Sequence, residues 1–173
     1  MADAPPAEYA IARSRPDAEG NENTMPPADN ASTQGTEAAL SIETALMIPT
    51  VAAIMVDGEI NDGEIAQLMA LCLHSPIFVD NSEQQDAEII IDATRLVQMF
   101  GARTMCCRAA SALTPALRET AYAFAVAIVG SDGHVAVSEK SLIASLVGWL
   151  SLDRGRAQQI ASIIPVLQNG RDS

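Results

Sequence analysis

The stretch that decides the fold is Val51-Ala52-Ala53-Ile54-Met55-Val56-Asp57-Gly58-Glu59-Ile60-Asn61-Asp62-Gly63-Glu64. It returns as Val126-Ala127-Ile128-Val129, then Asp132-Gly133-His134-Val135-Ala136-Val137-Ser138-Glu139, with Asp57 and Asp132 75 residues apart. The shared skeleton is a very apolar helix, an Asp-Gly corner, one free position, Ile or Val, three residues and a Glu that opens an amphipathic helix. Each position has a folding reason. Gly58 and Gly133 can take the positive φ that stops a helix. Ile60 and Val135 would plug the corner. Glu64 and Glu139 fall in a first helical turn, where a carboxylate favours the helix dipole by ~0.3–1 kcal/mol. Two such halves predict a pseudo-twofold bundle with the two apolar helices side by side at its centre.

Working outward, the pattern is helical from Thr36 onward. A first helix is expected from Glu37 or Ser41 to Val56, apolar on every face and therefore central, with a kink at Pro49. A second opens near Asn61, a good N-cap with Glu64 three residues on, buries Ile65, Leu68, Met69 and Cys72, and ends at Pro76. Ser82 and Gln85 cap a third helix through Phe100, and an Ala-rich piece spans Ala102 to Leu113. Thr114-Pro115 is an N-cap followed by Pro at the first helical position, opening a helix to Val129. The next is expected from Ser138 to Leu150, because Ala136 cannot cap, and a last one from Asp153 to Pro165. No alternating strand pattern occurs. The fold class is all-α, a bundle of about seven helices.

The chain has 173 residues and is 49% hydrophobic but only 3% aromatic, so its core is aliphatic. Its formal net charge is −12. Residues 1–36 carry −4 of that and the rest −8, but only the second part has apolar periodicity. The first, with Pro5, Pro6, Pro16, Pro26 and Pro27, cannot bury enough surface to offset its ordering entropy. Residues 1–36 are expected to be a disordered tail, 37–168 the helical domain and 169–173 a short polar end. The acidic balance excludes a general nucleic-acid binder, which needs clustered Lys and Arg, and disfavours anionic membrane surfaces. No signal peptide is legible at the N-terminus, and no apolar run reaches the ~20 residues of a membrane span. Three cysteines, two of them adjacent, form neither a disulfide framework nor a C-x-x-C pair and fit a reducing cytoplasm.

Asp57, Glu59, Asp62 and Glu64 are close in sequence, and Asp132 and Glu139 repeat two of them. They read in two ways. They are solvated acids of helix starts, or hard oxygen ligands for a divalent cation such as Ca²⁺ or Mg²⁺. An EF-hand is excluded: Asp62 stands where its loop requires Gly, and Leu68 where it requires a bidentate Glu.

These two corners, with Ala45-Leu46, Pro76-Ile77-Phe78 and Leu117-Arg118-Glu119-Thr120-Ala121-Tyr122-Ala123, resemble the tellurite-resistance TerB family from about Leu40 to Leu167. The resemblance implies a seven-helix, two-repeat domain in a cytoplasmic bacterial stress-response protein. Its partners would be other tellurite-resistance and stress-response proteins, in complexes at the inner face of the membrane. It also implies metal chelation at Asp57, Glu64, Asp132 and Glu139. The second corner departs from the polar pattern at Ala136 and Val137.

No catalysis is expected. His74 lies two residues from Cys72, on a different side of one helix, which is poor zinc geometry. His134 sits in the second corner. Cys106-Cys107, beside Arg103 and Arg108, reads as two buried cysteines of an Ala-rich helix, or as a thiol that reacts with tellurite. Three functions follow: a non-enzymatic stress-response interaction module, a stand-alone divalent-cation binder or sensor, and a thiol-based tellurite detoxifier.

Overall fold

The computed structural model describes residues 39–58, 60, 62–129 and 136–168, without the side chains of residues 57 and 165–168. The expected tail at 1–36 and the polar end at 169–173 lie outside the described residues. The fold is all-helical: α1 Ile42–Ile54, α2 Asp62–His74, α3 Glu83–Phe100, α4 Ala102–Ala112, α5 Pro115–Val129, α6 Val137–Trp149 and α7 Arg154–Gln168. There is no strand among the described residues.

The core is built around α1. Ser41 starts it, its Oγ accepting the Thr44 backbone N–H at 3.1 Å. From Ala45 to Ile54 every residue is buried, as a stretch without a polar face requires, while Ile42 in the first turn is exposed. It packs most extensively on α5, then on α3 and α4. Each fully buried side chain of the size of Leu46 or Ile48 contributes roughly 1.5–3 kcal/mol. Pro49 and Thr50 are buried within it. The helix ends two residues before the expected Val56, because Met55–Asp57 tighten into a 3₁₀ turn. Gly58 closes that turn, its N–H donating to the Met55 carbonyl at 3.1 Å.

The outer helices follow their caps. In α3 the capping box is complete. Gln85 N–H donates to Ser82 Oγ at 3.3 Å, and the Gln85 side-chain oxygen accepts the Ser82 N–H at 2.8 Å. Thr114 accepts the Leu117 N–H at 3.4 Å and opens α5. Between α2 and α3 a short link is anchored by Phe78, which is buried.

Three expectations are corrected. Ile65 is 42% exposed, so α2 rests on Leu68 and Cys72 with Met69 half-buried beside them. The start of α6 does not slip to Ser138: Ala136 takes the N-cap conformation, φ −63° and ψ 159°, and Val137 is helical. Helix α7 runs through Pro165 to Gln168, where a stop near Pro165 was expected.

Around the two corners the helix bounds keep the spacing of the sequence repeat. α1 and α5 end at Ile54 and Val129, and α2 and α6 run from Asp62 to His74 and from Val137 to Trp149, each pair 75 residues apart. The inward faces do not keep it. α2 buries Leu68 and Cys72, whereas α6 buries Leu142 and Leu146, a spacing of 74.

Candidate functional site

The first acidic corner is built by the end of α1 and the start of α2. Gly58 has φ +130° and ψ −96°, and a Cβ placed there would meet nothing within 4 Å. The glycine is therefore required by its backbone angle and not by crowding. Ile60, half-buried, packs against the core as a plug. Asp62 and Glu64 stand in the first turn of α2, Asp62 exposed and Glu64 half-buried. The 3₁₀ turn of this corner packs against α6, the helix that follows the second corner.

In the second corner the described chain resumes at Ala136. Glu139 is half-buried, and its Oε2 accepts the Ala136 backbone N–H at 2.7 Å. That bond is one half of a capping box, and it explains how α6 starts on an alanine. Of the six acidic residues singled out in the sequence, Asp62, Glu64 and Glu139 are placed with their side chains, and Asp57 by its backbone alone. Glu59 and Asp132 lie outside the described residues, as does His134. Among the described residues no group of three or more His, Cys, Asp and Glu side chains is gathered to hold a metal ion.

The thiols are separated by the helix they share. Cys106 is buried in α4 and Cys107 is exposed, correcting the expectation of two buried cysteines. Burial, and after it the neighbouring Cys107, pushes the Cys106 thiol from 9.0 up to about 12. Cys72 is raised to about 12 as well, by burial and then by the Asp86 carboxylate. A thiol held that high is a protonated hydrophobe and a poor nucleophile. His74 ends α2, with its Nδ1 donating to the Ala70 carbonyl at 2.7 Å.

Among the described residues, cavities open between helices. One of about 730 Å³ lies between the start of α1, α3 and α4, and Glu43, Glu88, Asp92, Arg95 and Arg108 are among its lining residues. A second, of about 580 Å³, is lined by Tyr122, Trp149 and Arg154 among others, between α5, α6 and α7. A third, of about 560 Å³, is a groove between α2 and α3. Its walls include Met69, Leu73 and Val79, the last two 80% and 73% exposed. None of its lining residues belongs to the two Asp-Gly corners. The signal for its electrostatics is present in the sequence, because residues 39–94 hold ten acidic residues and no Lys or Arg.

No protein-family model matches this chain, and no curated protein or solved structure matches it significantly. Among the described residues, no helix is long and apolar enough to cross a membrane. The fold and its corners define the class as an all-α bundle with acidic helix junctions.

Proposed function

We propose that this chain is a non-enzymatic bacterial stress-response protein of the tellurite-resistance TerB type, acting as an interaction module. The observation that carries the reading is the 75-residue correspondence of helix bounds on either side of the two Asp-Gly corners. It supports a two-repeat domain, as does the reciprocal packing of α1 on α6 and α2 on α5 around the α1–α5 pair. The TerB resemblance rests on those same corners. In this reading the module works in the cytoplasm, with other stress-response proteins at the inner face of the membrane.

The acidic corners are the module's cation-dependent part. Asp57, Glu59, Asp62 and Glu64 would offer hard oxygen ligands to Ca²⁺ or Mg²⁺, with Asp132 and Glu139 contributing from the second corner. A stand-alone cation sensor would use the same residues but act without a partner. Thiol-based detoxification is the weakest reading, since of the pair only Cys107 is exposed, while Cys106 is buried and its thiol is held protonated.

Deleting the gene and restoring it in cells challenged with tellurite tests the proposal. Tolerance should fall on deletion and return with the full chain. Tolerance that is unchanged by deletion removes the tellurite assignment.

A further inference from the structure

The groove between α2 and α3 is the part of this surface that best defines a ligand. On α2 it is lined by Ala66, Met69, Ala70 and Leu73, and the link contributes Phe78 and Val79. The α2 positions follow i, i+3, i+4 and i+7, one continuous face of the helix. Asp62, one turn before Ala66, lies on that face and is exposed. At the other end Glu83 lines the groove and Asp80 follows Val79 in the chain, both exposed. Asp86 also lines the groove, but it is buried and accepts a hydrogen bond from Asn81 Nδ2 at 3.0 Å. The groove is thus an apolar trough with carboxylates at both ends, in a stretch without one Lys or Arg.

That combination selects its occupant. Leu73 and Val79 are too exposed to serve the core, so their apolar surface is available to a partner. A trough between two helices accepts the apolar face of a third, and α2 offers about 20 Å of length at 1.5 Å per residue. The carboxylates call for Lys or Arg on the flanks of that third helix. They repel a second copy of this acidic chain, and equally an anionic lipid surface.

We propose that the α2–α3 groove docks a cationic amphipathic helix of a partner protein, with its apolar face on Leu73 and Val79 and its basic flanks over Asp62, Asp80 and Glu83. The proposal deepens the interaction-module reading and rests on it.

The test is fluorescence anisotropy of the full chain with a labelled peptide of about 18 residues, long enough to form a helix. The peptide carries Leu at i, i+3, i+4 and i+7 with Lys flanks, and a matched control carries Glu in place of Lys. The Lys peptide should bind at least about tenfold more tightly than the control, and more weakly as salt is raised from ~0.05 to ~0.5 M. Leu73→Asp should weaken it by at least about tenfold, and Ile163→Asp on α7, which lines no part of the groove, should leave it unchanged. Both replaced side chains are more than half exposed, and circular dichroism melts confirm that the variants fold. The proposal is overturned if the Lys peptide does not bind, if the Glu peptide binds as well, or if Leu73→Asp binds like the wild type. It is also overturned if ultracentrifugation shows a dimer that Leu73→Asp dissociates, because the occupant is then a second copy. These readouts use purified protein, so they stand or fall separately from tellurite tolerance.

Discussion

Glu139 Oε2 lies 2.7 Å from the backbone nitrogen of Ala136, whose N–H it accepts. The acid at the end of the second corner thus holds the start of its own helix. A residue that reads from sequence as a cation ligand therefore has a folding role at the same position.

Removing that bond gives the first prediction. Glu139→Ala should lower stability by about 1 kcal/mol, the scale of a lost N-terminal cap, with Glu139→Gln costing less because an amide oxygen still accepts. Ser82→Ala should cost a similar ~1 kcal/mol by opening the complete capping box of α3. Urea unfolding of the variants beside the wild type measures both. A silent Glu139→Ala would mean that α6 starts without its reach-back bond.

Thr50 points the other way. It is fully buried in α1, and its Oγ1 has no hydrogen-bond partner among the described residues. Thr50→Val keeps the shape and removes the desolvated hydroxyl, so it should raise stability by about 1 kcal/mol. Thermal melts of the two proteins check it, and a destabilised variant would show that the hydroxyl is bonded in solution.

The cysteines predict an alkaline limit. Cys72 and Cys106 are raised in the folded chain from 9.0 to about 12, so the folded state holds thiol protons that the unfolded chain releases. Their contribution is fully present below pH 9 and is lost as pH rises towards 12. Cys106→Ala should flatten the fall of stability across that window. In native protein a thiol reagent should label Cys107 first, with Cys72 and Cys106 following only on unfolding. Equal labelling of all three would contradict the packing of α4.

The corners predict a ligand effect. Melting the full chain with Mg²⁺, Ca²⁺, Mn²⁺ or Zn²⁺ at 100 times the dissociation constant should add ~2.7 kcal/mol for the cation that binds. Asp57→Asn/Asp132→Asn should abolish the gain. If no cation moves the transition, the corners are purely structural and the module binds its partner without one.

Most of the architecture was legible because it is locally coded. The all-round apolar run Ala45–Ile54, the Ser82–Gln85 box and Thr114-Pro115 each fix an element through their own residues. What was missed depends on how a residue is placed against its neighbours. Ile65 is apolar at helical spacing yet 42% exposed, because α2 turns Leu68 and Cys72 to the core. The early start of α6 depends on a side chain three residues ahead, and Ala136 alone gives no sign of it. The site was legible only in part. Asp-Gly spacing marks the corners, but the α2–α3 groove exists only once Val79 is brought beside Leu73.

The measurement that bears most directly on an interaction module is tellurite tolerance in a deletion strain carrying the wild-type chain, Cys106→Ser/Cys107→Ser or Leu73→Asp. Docking without thiol chemistry predicts that the double-serine chain protects like the wild type, while Leu73→Asp, folded but unable to bind, does not. Loss of protection in the double-serine chain, with Leu73→Asp fully protective, would contradict it.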